Sequence, residues 1–384
     1  MTKFIEKFET ENPEVNFTNK YEYSVDGIIY TVYEYDTHKL CEASDGSYHY
    51  IFNKQDGMFS RWGKTEEDDP TFCPAGPEIL DLEIASGKCS GGCNFCYKGN
   101  SASQEAVNMT FETFKKVINS IPKCLTQIAL GICDIDGNPD FIKMMEYSRS
   151  VGIIPNFTLS GIGLTDEMAK KVSRLSGALA VSAYETDKNI CYDTIKKFTD
   201  LGMNQVNCHA VVSEETLPFI IEVLNDRMHD PRLAEMNAIV FLGVKPKGRA
   251  KGVYHPLSTE KYASLVKLCF RLGIPFGFDS CSAGRFERAV DAMEIKPEMK
   301  AQLKQMSESC ESSAMSAYIN TYGEYFPCSF AEGEGEWIDG VDVCNCSDFL
   351  KDVWYNDKVV SYRERLINSM CNGCRKCLIF DEIN

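Results

Sequence analysis

The stretch Ile79-Leu-Asp-Leu-Glu-Ile84-Ala-Ser-Gly-Lys-Cys89-Ser-Gly-Gly-Cys93-Asn-Phe-Cys96-Tyr97 joins two signals that decide the fold. Its first six residues read as a strand, and a Gly-rich loop with cysteines spaced C-x3-C-x2-C comes at once after them. Working outward, further strands are expected at Gln127–Leu130, Ile153–Leu159, Ala178–Ala183, Gln205–Val211 and Asn237–Leu242. Helical patterns separate them, at Thr110–Ile121, Pro139–Val151, Thr165–Leu175, Asn189–Leu201, Glu214–Met228 and Ser258–Leu272. After the first unit the strands recur every 25 to 32 residues, the length of a βα unit. Six such units in series predict a parallel sheet with right-handed crossovers, either an open doubly wound sheet or a partial barrel.

Three regions are expected. Residues 1–76 carry β-branched and aromatic stretches, Tyr21–Val25, Ile28–Tyr35 and Tyr48–Phe52, punctuated by Asp26-Gly27 and Asp45-Gly46. That texture predicts a small antiparallel sheet, a half-buried meander rather than a peptide groove. Residues 77–279 hold the βα series. In 280–384 the rhythm stops and short elements alternate with cysteines, which suits a region stapled by metal.

Composition bounds the function. The chain has 384 residues and a net charge of −16, which argues against a general nucleic-acid or membrane-surface binder. No apolar run approaches the roughly 20 residues of a membrane span. The first residues show no secretory segment, so a cytoplasmic protein is expected. Eighteen cysteines in a reducing compartment point to metal or iron–sulfur ligation where they cluster.

Cys89, Cys93 and Cys96 can wrap one centre from three directions, with Gly91 and Gly92 giving the backbone freedom to do so. Three thiolates suit a [4Fe–4S] cluster with one iron left open, whereas a structural zinc wants a closed fourth ligand. The loop also stands at the carboxyl end of a strand, where parallel α/β folds carry their active sites. On these residues, with Phe95 at the aromatic position, the chain resembles the radical S-adenosylmethionine enzymes, whose signature is C-x3-C-x-aromatic-C. The resemblance implies an α/β (βα)6 partial TIM barrel in which these cysteines hold the cluster. It also implies S-adenosylmethionine on the open iron, cleaved by one electron to a 5′-deoxyadenosyl radical that abstracts a substrate hydrogen.

The same resemblance nominates cofactor-binding residues. The family's Gly-Gly-Glu-Pro stretch is replaced by Leu130-Gly-Ile-Cys-Asp-Ile-Asp-Gly-Asn-Pro139, so Gly131 takes the glycine position and Asp134 or Asp136 the acidic one. Ser182, at the end of the fourth strand, matches a polar position near the cofactor. His209 reads as a core histidine, with a place inside the barrel as the alternative. Lys245-Pro-Lys-Gly-Arg-Ala-Lys251 reads as a basic loop or an anion grip, and Arg249 within it is a cofactor-binding candidate. Asp279 is a turn cap or a catalytic proton acceptor.

In the tail, Cys310, Gly323 and Cys328 form C-x12-G-x4-C, with a hairpin expected at Gly323. Cys344, Cys346, Cys371, Cys374 and Cys377 lie downstream. A zinc knuckle is one reading of this set. The tail also resembles the SPASM/Twitch extension of radical enzymes that modify peptides, which implies at least one auxiliary [4Fe–4S] cluster. Its ligands are then Cys310 and Cys328, completed from Cys346, Cys371, Cys374 and Cys377, with Cys281 as a further thiol. Cys41, Cys73, Cys124, Cys133, Cys191, Cys208 and Cys269 are scattered and read as structural.

The resulting expectation is a radical enzyme acting on a ribosomally made peptide or protein, reduced by a partner such as flavodoxin or ferredoxin. Two alternatives stand beside it: chemistry on a small molecule or nucleotide gripped by Lys245, Lys247 and Arg249, and a non-catalytic iron–sulfur electron carrier.

Overall fold

The computed structural model describes residues 4–65, 67–370 and 374–383; Cys371 lies outside them. The amino-terminal helix α1 (Phe4–Glu11) precedes five strands, β1 (Phe17–Val25), β2 (Ile28–Tyr35), β3 (His38–Ala43), β4 (His49–Asn53) and β5 (Phe59–Trp62). They form an antiparallel meander in sequence order. The three expected stretches are β1, β2 and β4, and β3 and β5 complete the sheet. Asp26 and Gly27 both take positive φ, 50° and 81°, as the tight turn between β1 and β2 requires. Polar contacts fasten the meander to the loop before the second parallel strand: Lys39 Nζ donates to the Leu125 carbonyl at 2.7 Å and Tyr50 Oη to that of Cys124 at 2.9 Å.

The second sheet begins with β6 (Ile79–Glu83), after which comes a two-residue pair, β7 (Ala85–Ser86) and β8 (Val107–Asn108). The helix–strand alternation then runs α2 (Phe111–Ser120), β9 (Gln127–Gly131), α3 (Phe141–Ser150), β10 (Ile154–Leu159), α4 (Asp166–Leu175), β11 (Leu179–Ser182), α5 (Lys188–Asp200) and β12 (Val206–Val212). It continues with α6 (Leu217–Arg227), β13 (Ala238–Gly243), α7 (Thr259–Leu272) and β14 (Phe276–Phe278). All six expected strands are present, and β14 is a seventh whose three residues were too short to read as one. Hydroxyl caps start several helices where the sequence placed them: Thr110, Thr165 and Ser258 accept from the backbone of Thr113, Met168 and Lys261. Gly273 ends α7 in the left-handed conformation at φ 64°.

These strands pair in parallel in the order β14-β13-β12-β11-β10-β9-β6. The tail adds α8 (Ala283–Asp291), α9 (Pro297–Gln305), β15 (Ser316–Ile319), β16 (Glu324–Phe326), β17 (Val341–Asp342) and α10 (Asp357–Asn368). Its strands extend the same sheet, β15 lying parallel to β6 and the β15–β16 hairpin turning at Gly323, φ 81°.

Alternation along the strands sorts the two faces. In β12, Cys208, Ala210 and Val212 are buried in the core, while Asn207, His209 and Val211 line a cavity. Leu80 and Leu82 of β6 are likewise buried in the core, and Asp81 and Glu83 line the cavity. The sheet therefore has an apolar outer face under helices and an inner face that carries its polar side chains among apolar ones. It curls far enough for residues at both ends of the parallel array to meet at that cavity. No helix among the described residues is long and apolar enough to cross a membrane.

Candidate active site

The loop after β6 is held by its backbone. Cys89 N donates to the Ser101 carbonyl at 3.1 Å and Ser101 N to that of Gly87 at 3.0 Å. Gly87 has φ 80°, and a Cβ there would lie 2.1 Å from the Glu105 carbonyl oxygen, so only glycine fits. At Gly91 a Cβ would sit 3.5 Å from both the Cys89 and Cys93 sulfurs, which places these two thiols on either side of one backbone position. The Cys133 thiol beside it pulls Cys89 down to about 6, whereas burial pushes Cys93 up.

Two of the nominated cofactor residues serve this loop directly. Arg249 donates from Nε and Nη2 to the Cys93 carbonyl at 2.9 and 2.7 Å, and from Nη1 to that of Asn100 at 2.8 Å. Asp134 accepts from the Ser90 amide at 3.0 Å and the Ser90 hydroxyl at 2.9 Å. Asp136 is exposed and does not line the cavity. Phe95 does line it, with its ring 6.1 Å from that of Tyr184 and 5.9 Å from that of Tyr254.

Cys89, Cys93 and Cys96 open onto a cavity of about 640 Å³ on the inner face of the sheet, together with Gly131, Ser182, His209, Lys245 and Asp279. His209 faces this cavity rather than the core: its Nδ1 lies 3.3 Å from Thr158 Oγ1, and burial drives its pKa down to about 4, so it is neutral. Asp279 accepts from Ser282 Oγ at 2.5 Å and from Gly243 N at 3.2 Å, and pairs with the buried Lys245 ammonium. Lys245 donates to the Gly243 carbonyl as well, at 2.7 Å.

A second cavity of about 280 Å³ adjoins the first and is lined by Cys281, Cys310, Cys328, Cys374 and Cys377. Burial raises the Cys310 thiol to about 12 and that of Cys281 well above its ordinary value, so these groups are protonated as they stand. Cys346 is not among them. It lies beside Ser120 at the end of α2, in a groove with Tyr23 and Leu350. Asp81, Lys245, Asp279, Ser329 and Phe330 line both cavities and form the seam between them. Among the described residues, no three His, Cys, Asp or Glu side chains close on a single ion.

A polar knot binds the two parts together. Lys98, just past the cysteine loop, donates to Tyr318 Oη at 2.6 Å and pairs with Glu332 and, at 3.1 Å, with Glu83. Tyr318 Oη donates in turn to Glu83 at 3.0 Å. Lys247 donates to the Phe330 carbonyl at 3.0 Å, and Tyr97 packs 4.6 Å from the Phe330 ring. Sequence reasoning named none of Lys98, Tyr318 and Glu332, because nothing but the fold brings them together. It also passed over Asp81 and Glu83, although their spacing of two within a strand was a readable signal that both share one face.

No family model matches the chain, and no curated protein does. Solved structures share its fold. SuiB of Streptococcus suis bound to the precursor peptide SuiA is 12% identical, covers 82% of this chain and 86% of its own, and has a TM-score of 0.59. SuiB bound to S-adenosylmethionine is 14% identical over 78% of this chain and 69% of its own, with a TM-score of 0.57. Native anSMEcpe with bound AdoMet is 14% identical over 74% of this chain and 82% of its own, at 0.56. This chain shares its fold with SuiB and anSMEcpe, both of which were solved with S-adenosylmethionine bound.

Proposed function

We propose that this chain is a radical S-adenosylmethionine enzyme, built as a (βα)6 partial barrel over 77–279 with a Twitch-like tail, that acts on a peptide or protein. One observation carries the reading: Cys89, Cys93 and Cys96 share one cavity at the carboxyl end of the first parallel strand. The residues suit a [4Fe–4S] cluster. Thiols set around a cavity match a polynuclear centre, whereas zinc needs its sulfurs about 2.3 Å from one point. When bound, the cluster and S-adenosylmethionine supply a one-electron cleavage that yields methionine and a 5′-deoxyadenosyl radical able to take a hydrogen atom.

The chain's own residues do the positioning. Arg249 and Asp134 hold the cysteine loop from opposite ends, while Phe95, Gly131 and Ser182 shape the wall where the cofactor lies. A methyl group at Gly131 would come within 3.2 Å of Glu83 Cα, a tight contact that the backbone of β6 would have to relax to admit. For an auxiliary cluster, Cys310, Cys328, Cys374 and Cys377 are the ligands we favour, since one cavity gathers them with Cys281.

Two observations favour a peptide over a phosphorylated small molecule. Lys245, Lys247 and Arg249, the cations that an anion grip needs, are all engaged by Asp279, by the carbonyls of Phe330 and Glu332, and by the loop. SuiB and anSMEcpe, which share the fold, were each solved with a peptide. The test is electron paramagnetic resonance of anaerobically reconstituted, reduced protein. Adding S-adenosylmethionine is expected to shift the cluster signal in wild type and leave a Cys89/Cys93/Cys96→Ala variant unmoved. An unmoved wild-type signal contradicts the reading.

A further inference from the structure

Asp81 stands on the inner face of β6, at the seam where the two cavities meet. Its side chain is open to the cavities, and desolvation by the surrounding walls pushes its carboxyl up to about 6. Every other charged group facing the larger cavity is matched. Glu83 pairs with Lys98 and accepts from Tyr318, and Asp279 pairs with Lys245. Asp81 has no hydrogen-bond or ion-pair partner among the described residues.

Its neighbours are not free to serve it. Next to it in register are Ala129, whose side chain has no donor, and Tyr318, whose hydroxyl is taken by Glu83 and Glu332 at 3.0 and 3.1 Å. One strand further, Asn156 donates to Gln127 Oε1 at 2.8 Å and accepts from Ala178 N at 2.8 Å. Lys245 is held between Asp279 and the Gly243 carbonyl. A carboxylate open to a cavity, with no cation of the protein beside it, is an acceptor that a donor arriving with a ligand can take.

We propose that Asp81 receives a protonated amine or guanidinium of the substrate, so that a lysine or arginine side chain is seated between the cysteine-loop cavity and the cavity lined by the tail cysteines. Any chemistry on that side chain rests on the radical-enzyme reading, but the binding site stands on geometry alone. The seam also offers a surface for the aliphatic stem of such a side chain, because the Phe330 ring lines both cavities.

The test is isothermal titration of the full reconstituted chain with three blocked pentapeptides that differ only at the centre, which is lysine, arginine or norleucine between glycines. The lysine and arginine peptides are expected to bind roughly tenfold tighter than the norleucine peptide. Asp81→Asn should reduce that ratio to about one, and Asp81→Glu should keep most of it, with S-adenosylmethionine affinity and iron content held by both variants. Equal binding of the three peptides by wild type overturns the proposal. So does a preference that survives in D81N, or a loss of S-adenosylmethionine affinity in D81N, which would give the carboxylate to the cofactor. If the preference holds while the protein fails to cleave S-adenosylmethionine, the cation site stands and the radical reading falls.

Discussion

Arg249 and Cys93 lie 156 residues apart, yet two guanidinium nitrogens of the one converge on the carbonyl of the other, at 2.9 and 2.7 Å. The basic loop after β13 thereby fixes the backbone of the middle cysteine. Gly248, next to Arg249, makes the approach feasible: at φ 58°, a Cβ would lie 2.4 Å from the Cys96 and Tyr97 carbonyl oxygens.

Replacing Arg249 with Lys should therefore loosen the loop without changing its thiols. A single ammonium cannot reproduce the planar fork. Residues that orient ligands without touching the metal are commonly worth 10- to 100-fold in metal affinity. We expect iron loss to a chelator to be roughly tenfold faster in R249K. Iron retention equal to wild type would show that the loop needs no such support.

Lys245 and Asp279 form a buried ion pair on the seam, with side chains 4% and 19% exposed. Removing one partner leaves the other charge unmatched, which costs about 3 kcal/mol or more. Asp279→Asn should lower the urea midpoint strongly, and K245M/D279N should recover part of the loss. If D279N left stability unchanged and altered only hydrogen abstraction, Asp279 would be the proton acceptor rather than a partner for Lys245.

His209 gives a pH signature. Its folded pKa is about 4 against an ordinary 6.5, so as pH falls below 6.5 the unfolded chain takes the proton first. Stability from this residue is complete above about pH 6.5, declines as pH drops towards 4, and then levels off. The full loss is about 3 kcal/mol. His209→Gln should flatten that part of a denaturation-against-pH curve. An equal slope in the variant would assign it to other groups.

The tail cysteines separate into two sets. Cys374→Ala and Cys377→Ala should each lower the iron content associated with the second cavity, while Cys346→Ala should leave it at the wild-type value. Loss of iron in the Cys346 variant would mean that the tail's ligand set reaches beyond the 280 Å³ cavity.

Much of this was readable along the chain. The βα spacing gave the parallel strands, and a cysteine loop behind the first of them announced its position, because both signals are local. The hairpin at Gly323 was equally local. Features that depend on contacts across the sheet were not readable. Arg249 looked like a hand for an anion, since nothing in Lys245–Lys251 reveals that a carbonyl 156 residues away takes its donors. Asp134 had the same outcome through Ser90. His209 sits in a strand whose alternation fixes two faces but not which of them faces the cavity. The tail reads as a metal-stapled region, and nothing local in it announces that β15 pairs with β6 in the main sheet, a pairing of residues more than 200 positions distant.

The most direct test is anaerobic reduction of the iron-loaded chain with S-adenosylmethionine, then chromatography for 5′-deoxyadenosine. Wild type should form it, with a Cys89/Cys93/Cys96→Ala variant forming none while keeping the iron of its tail cavity. Its absence from fully loaded, reduced wild type in the presence of a lysine-bearing peptide substrate, or its equal formation by the variant, would contradict a radical centre on this loop.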